Sequence, residues 1–553
     1  MVAMRLSLVL AAAVVPTLLL GQDAPQCSGL RSEVTLGPVS GHRIDSVLVE
    51  TAQPHLGRLA SVVGRIHVRT RPEVIRRELL FAPGDTVDTL GVAESLRRLR
   101  RLSFLENIYI EARQCPTQSG ESLVLRVVTR DLWTTRPDIK ASSSAPRIGL
   151  TERNLFGTGR TVGVGLVSRN GSLGAGVNTS DAFGFGTGMT TRAQYQQYSD
   201  GSARSLSLAR RQATLIDRWR GGLDLYDQRY EPKNALADNF ERTGAELIGG
   251  VRLTPRRSGH AVYLLAGVES ENTSLVAAAN ADVVGPVRLD RHFTGPQVGA
   301  SIASALYDTL TWLLPGGAVV DVPRTVEGEI VIGMGTGSVT AGDNTGLVEI
   351  NHSRFMTHYD GWLGREWLPT RRSRIVGDIW ASGYSRSGQW QSSRTRAALS
   401  AEHAASNGVW RMSAAGEQLT DPDPDVRALG IYDRALAFVP KRVRFAESAL
   451  SVSIERTRHL RTVGSSELDA SIFGAVSKRW DPAPTANAAE DFMVGVAGLG
   501  VALVPRRPGR ATVRLDYGFP ITGTPGVKRT PRFSITILPW LETSRHREKS
   551  GLY

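Results

Sequence analysis

The chain has 553 residues, 41% hydrophobic and 22% charged, with a formal net charge of +13. That length holds two or more domains and a sizeable core. After the first two dozen positions there is no run of 18 apolar residues, which excludes helical membrane spans from a mature chain. Lysine occurs at only six positions (Lys140, Lys233, Lys441, Lys478, Lys528 and Lys549), so the basic excess is almost entirely arginine. These arginines are spread along the chain among scattered acids. This argues against a nucleic-acid partner and fits a surface near anionic lipid headgroups.

Residues 1–24 read as a secretory signal: Arg5 supplies the positive start, Leu6 to Leu20 the apolar stretch, and Gly21 or Ala24 a small cleavage residue. Export would put Cys27 and Cys115 in an oxidising compartment, where they form either one disulfide or two free thiols. Residues 42–135 form a compositionally distinct unit. Ile44–Glu50 reads as a strand. Arg71–Leu80 reads as a helix with Pro72 in its first turn and Val74, Ile75, Leu79 and Leu80 as its apolar stripe. Ala93–Leu102 is a second amphipathic helix, with Leu96 and Leu99 inward and arginines outward. Ile108–Ala112 and Leu123–Val127 alternate with the period of half-buried strands.

From about Lys140 the helical period disappears. Short alternating segments take over, separated by Gly, Asn, Asp and Ser turns. Val162, Val164 and Leu166 alternate with glycines; Leu450, Val452 and Ile454 alternate with Ser451, Ser453 and Glu455; Val513, Leu515, Tyr517 and Phe519 alternate with Arg514, Asp516 and Gly518. Phe533, Ile535 and Ile537 alternate with Ser534 and Thr536. Alternation alone suits a soluble sandwich or a transmembrane barrel. The export signal and some 400 residues without a helix favour the barrel, which must close because an open edge in hydrocarbon leaves backbone groups unpaired. The segments number 18 to 20.

Several of these stretches resemble the BamA/TamA family. The order β-α-α-β-β in 42–135, with PGDTVD between the helices, looks like a POTRA domain; the stretch Ala52–His67 is an insertion relative to that pattern. The resemblance implies a periplasmic module that can add a client strand to its sheet edge, or else a plinth that only orients the barrel. Gly149–Val164, GLTERNLFGTGRTVGV, is similar to the family's first barrel hairpin, with Asn154, Gly157 and Gly159 in the turn. Ala511–Ile521 resembles its penultimate strand, and Ser205–Leu225 an early strand pair. The implied fold is mainly β: a 16-stranded antiparallel transmembrane β-barrel over residues 140–541, preceded by one small α+β POTRA-like domain and followed by a tail at 542–553. We adopt 16 strands on that resemblance. Family members hold an Arg from an inward-folded loop against acids of the barrel wall. Here the loop match is Leu429-Gly430-Ile431-Tyr432, without the Arg, and the usual acid and glycine of a later strand are Ala475 and Ser477. Glu455 points inward by alternation and is expected to have lost its partner, unless Arg427 substitutes.

No enzyme signature is present: no HExxH, no GxSxG, no paired histidine spacing. Gly157 and Gly159 do not have the spacing of a phosphate-cradling loop. Arg514 and Asp516 read as pore lining. No catalytic residue, metal or cofactor is expected. The partners expected are outer-membrane lipid, with unfolded outer-membrane protein clients and periplasmic accessory proteins. The leading reading is an outer-membrane assembly or translocation factor. Its first and last strands would form a weak seam, around Ile148, Gly149 and Leu150 on one side and Phe533, Ile535 and Ile537 on the other. The alternative is a structural barrel, passive pore or surface antigen.

Overall fold

The computed structural model describes residues 28–30, 39–53, 68–117, 120–140, 147–169, 172–184, 189–210, 216–230, 239–256, 258–277, 287–313, 319–342, 354–386, 389–420, 448–463, 466–480, 492–505, 512–522 and 531–538. The expected signal segment 1–24, the loop residues Arg427, Leu429, Gly430, Ile431 and Tyr432, Cys27 and the tail 542–553 lie outside the described residues.

The N-terminal part contains β1 (Ser28–Leu30), β2 (Ser46–Ala52), α1 (Pro72–Arg76), α2 (Thr89–Arg100), β3 (Leu105–Thr117) and β4 (Gly120–Asp131). Its sheet has the order β1-β3-β4-β2. β2 runs parallel to β4, while β3 is antiparallel to both β4 and β1. The two helices supply the crossover that a parallel β2–β4 pair requires. Ile44, Ile75, Leu99, Ile110, Leu125 and Val127 form the centre of a core shared by both layers. Helix α1 is shorter than the apolar stripe predicts. It ends at Arg77, and the Leu80 N–H instead donates to Ser95 Oγ (2.8 Å), which draws that turn onto α2. Helix α2 starts earlier than expected because Asp88 caps it, accepting from the Leu90 N–H at 3.3 Å. Its arginines are not all outward: Arg97 is buried, ion-paired with Glu94 on one turn of the helix.

The rest of the chain is β5 (Thr135–Lys140), β6 (Arg147–Leu155), β7 (Arg160–Arg169), β8 (Ser172–Gly184), β9 (Met189–Tyr198), β10 (Gly201–Arg210), β11 (Trp219–Tyr230), β12 (Asn239–Arg252), β13 (His260–Ala277) and β14 (Val287–Ser304). A small hairpin follows, β15 (Tyr307–Leu310) and β16 (Val320–Pro323). Then come β17 (Glu327–Gly342), β18 (Arg354–Thr370), β19 (Ser373–Arg386), β20 (Gln389–Ala405), β21 (Gly408–Thr420), β22 (Ser448–Val463), β23 (Ser466–Trp480), β24 (Phe492–Pro505), β25 (Thr512–Thr522) and β26 (Arg532–Leu538). Apart from the β15–β16 hairpin these strands make, among the described residues, one antiparallel sheet of twenty. Its order returns to the start as a closed barrel, with β26 beside β5.

The expected 16 strands are thus a correction. Turns of two residues, as between β9 and β10, β18 and β19, and β20 and β21, separate true strand pairs rather than extending single strands through loops. Moreover Thr135–Lys140, which contains Pro137 and does not alternate, pairs as a strand with β6. The alternation itself has the expected sense. Leu450, Val452 and Ile454 are exposed, as are Val164, Leu264, Ile330, Leu399, Ile472 and Leu499 on other strands, whereas the intervening positions carry the buried and polar side chains. The molecule therefore presents a continuous apolar exterior and a polar interior.

Candidate functional site

The interior wall carries a row of alternating charges at matched height. Successive registers set Arg374 opposite Glu402, Glu402 opposite Arg411, and Arg411 opposite Glu455, across β19 to β22. All four occupy inward positions of their strands, so acid and base meet side by side. Arg374 bonds Glu366 of β18 at 2.7 Å and Glu402 at 3.2 Å; Arg411 reaches Glu402 at 3.3 Å. The row continues through Arg514 of β25. Its Nη2 donates to Glu455 (2.7 Å) and to Ser471 of β23 (2.7 Å), and its Nε to Asp516 (2.8 Å). Glu455 points inward as expected, but it has a partner. The side chains of Arg514 and Glu455 are 13% and 12% exposed, so this is a largely enclosed pair and not a solvated lone carboxylate. Alternation could place both residues inside; it could not foretell the pairing, which joins strands 59 positions apart.

A second cluster is centred on β13 and shares β18 and β19 with the first. Buried Glu271 of β13 accepts from Arg242 (2.6 Å), Arg291 (3.0 Å), Tyr226 and Tyr384, residues of β12, β14, β11 and β19. Beside it His358 of β18 bonds Glu269 at 2.7 Å, and Phe293 meets the His358 and Tyr384 rings edge-on. β17, which separates β14 from β18, bears Gly333 and Gly337 beneath this cluster. A Cβ at Gly337 would overlap Met356 Sδ, and one at Gly333 would crowd the Phe293 ring. The missing side chains are what allow groups from non-adjacent strands to meet over β17.

The first hairpin turn is where the N-terminal part joins the barrel. Phe156, Gly157 and Gly159 all have positive φ (54°, 71° and 76°). Asn154 closes the turn by accepting from the Gly159 N–H (2.7 Å), and its amide donates to Thr70 Oγ1 (2.7 Å). Thr70 in turn donates to Asp131 through its hydroxyl (2.6 Å) and its N–H (2.9 Å). The Arg71 N–H donates to the Gly157 carbonyl at 2.9 Å, and a Cβ at Gly157 would fall on the Arg69 carbonyl oxygen. A second attachment uses the β15–β16 hairpin: Arg100 bonds Asp321 (3.1 Å) and buried Arg97 lies 4.4 Å from the centre of the Tyr307 ring. Burial there pushes the Tyr307 hydroxyl well above its ordinary pKa. These contacts explain the inward arginine of α2. No local pattern reports them, because the partners lie more than 200 residues away.

The expected seam residues divide. Phe533 and Ile535 of β26 are exposed on the apolar exterior, on the last strand of the order. Ile148, Gly149 and Leu150 lie on β6, which pairs with β5 on one side and β7 on the other. The closing position belongs to β5 instead. Ile537 is in β26, and Cys115 in β3. The β22–β23 register also assembles a group the histidine spacing does not reveal: His459 opposite Asp469, with Glu467 two residues further along the same face. Their donor atoms lie within 4.8 Å of one another, and these three side chains could hold a divalent cation.

No family model matches the chain. Over 114 residues it is 31% identical to the outer membrane protein assembly factor BamA of Neorickettsia risticii (strain Illinois), a match covering 20% of this chain and 15% of that protein. The chain thus spans well under a quarter of that relative's length. Among solved structures it is similar to BamA from Haemophilus ducreyi lacking POTRA domains 1–3 (10% identity, 89% of this chain, 85% of that chain, TM-score 0.34). It is also similar to CdiB from Escherichia coli (11% identity, 89% of this chain, 76% of that chain, TM-score 0.41). Together with the barrel order of the strands, the curated match supports a BamA/TamA-type family assignment for the chain.

Proposed function

We propose that the chain is a non-enzymatic outer-membrane protein assembly or translocation factor. Its N-terminal part would be a POTRA-like periplasmic domain, and its barrel would present a weak seam to client strands. The observation that carries this reading is the length of the closing strands. Among the described residues β5 has 6 and β26 has 7, against 18 in each of β13 and β14. A strand needs about 9–11 residues to cross a bilayer, so a junction of two such short strands forms few hydrogen bonds and is the least costly place to part. Pro137 further removes a donor from β5. The strand, helix, helix, strand, strand order of the N-terminal part, with a parallel β2–β4 pair, supports the POTRA-like reading. Removal of residues 1–24 on export and a bridge between Cys27 and Cys115 belong to the same proposal.

The test is reconstitution in liposomes with an unfolded barrel client. Accelerated client folding is expected, and a cysteine pair that crosslinks β5 to β26 should abolish it. Ion conductance without acceleration would instead favour a passive or structural barrel. One observation favours that second reading: the Glu271 cluster fills part of the interior with side chains from five strands, counting Tyr384 of β19.

A further inference from the structure

One imidazole nitrogen and two carboxylates converge on the inner face of β22 and β23, and the register explains how. Glu455 lies opposite Phe473, Thr457 opposite Ser471 and His459 opposite Asp469. A β-bulge follows. Leu460 is the extra residue, so Arg461 pairs with Leu468 and Thr462 with Glu467. Without it Arg461 would stand directly opposite Glu467 and on its face, where the two charges would pair. The bulge sets Arg461 opposite Leu468 on the other face instead. On the far side β24 places Ala502 beside Asp469 and Val504 beside Glu467, neither of them charged. Arg411 of β21 approaches through Thr457 (3.4 Å), but Glu402 engages it at 3.3 Å.

His459 Nδ1 is 3.1 Å from an Asp469 carboxylate oxygen and 3.6 Å from one of Glu467. One Nδ1–H makes one good hydrogen bond, here to Asp469, and does not by itself draw a second carboxylate to the same nitrogen. A shared ion does. Two ligands about 2.0–2.2 Å from a tetrahedral metal stand about 3.3–3.6 Å from each other. We propose that His459, Glu467 and Asp469 form a three-ligand site for a transition-metal dication of the zinc class. All three side chains are half-buried, which leaves the fourth position to water. The nitrogen donor favours zinc, cobalt or nickel over calcium and magnesium, which take oxygen ligands. The ion would join β22 to β23 where the bulge interrupts their ladder.

The test uses untagged full-length protein in detergent, stripped with chelator, folded by heat-modifiable gel mobility, and titrated calorimetrically with zinc chloride. Wild type should bind one equivalent. Affinity should fall at least a hundredfold in His459→Ala and in Asp469→Asn, and at least tenfold in Glu467→Gln. His292→Ala, on an exposed histidine of β14, should change nothing. Cobalt chloride should give the intense visible bands of a four-coordinate ion in wild type and not in His459→Ala. No saturable zinc uptake by folded wild type would overturn the site and leave a plain hydrogen-bonded cluster; this arm decides even where a variant does not assemble. Undiminished uptake in folded His459→Ala, or calcium bound as tightly as zinc, would also overturn it. No readout involves client folding, so failure here is separable from failure of the assembly reading.

Discussion

Replacing Arg514 should injure the barrel far more than replacing Glu455, although the two residues are partners at 2.7 Å. The asymmetry follows from what each substitution leaves behind. In Glu455→Gln the guanidinium keeps Asp516 at 2.8 Å and Ser471 at 2.7 Å, so the loss is one charge-assisted hydrogen bond, about 1.5–3 kcal/mol. In Arg514→Gln two largely enclosed carboxylates, Glu455 and Asp516, lose their shared cation, and breaking such an arrangement costs about 3–5 kcal/mol. Water in the interior lowers both figures without changing their order. Each variant and the double variant should be unfolded in urea from detergent micelles, with heat-modifiable gel mobility as a second readout. The double variant should lose less than the two single losses added together, because the shared interaction is removed only once. Strict additivity, or equal losses below about 0.5 kcal/mol in both single variants, would refute the argument and return Glu455 to the status of a hydrated, dispensable carboxylate.

Other outcomes are expected elsewhere. Gly157→Ala should loosen the attachment of the N-terminal part, because the position combines a φ of 71° with a Cβ directed at the Arg69 carbonyl; limited proteolysis near residue 70 should accelerate. Asn154→Ala removes both the turn-closing bond and the bond to Thr70 and should act the same way, at a cost of about 1–3 kcal/mol. Leu99→Ala, in the core of the N-terminal part, should destabilise that part by about 2–5 kcal/mol and leave barrel mobility on gels unchanged. The hydrogen bond from Arg126 holds the Glu50 carboxyl below the usual carboxylate range, against the opposing effect of partial burial. Glu50 therefore contributes stability above its unfolded pKa of about 4.3, and loses it as pH falls through the lower folded value. The difference in melting between wild type and Glu50→Gln should shrink between pH 6 and pH 3.

The sequence makes one face of each strand legible, because lipid-like exposure and a polar interior impose a period of two that survives without any knowledge of partners. Leu450, Val452 and Ile454 against Glu455 is such a case. Strand number is less legible. A two-residue turn between Tyr198 and Gly201 looks like a minor irregularity in one segment. Thr135–Lys140 lacks alternation altogether and takes its place only because β6 offers an edge. For the same reason the closing edge lies at β5 and not at Ile148 to Leu150. The turn glycines were readable, since positive φ demands them, yet their second task, contact with Arg69 to Arg71, depends on a separate domain. Arg97 shows the limit most clearly. On helical periodicity it is a surface arginine, and its burial rests on Glu94 one turn away together with the distant Tyr307 ring.

The N-terminal part is mounted on the barrel at two places: the β6–β7 turn, through Thr70, Arg71 and Asn154, and the β15–β16 hairpin between β14 and β17, through Arg100 and Asp321. Counted around the barrel order, the shorter way from β7 to β14 passes six intervening strands of twenty. The mounts therefore stand well apart in the barrel order, and the N-terminal part is held at two places rather than by one hinge. A single tether would let it swing clear; two fixed ends do not. A load on the N-terminal part is therefore shared between two separated stretches of the rim, one on each side of the six strands β8 to β13.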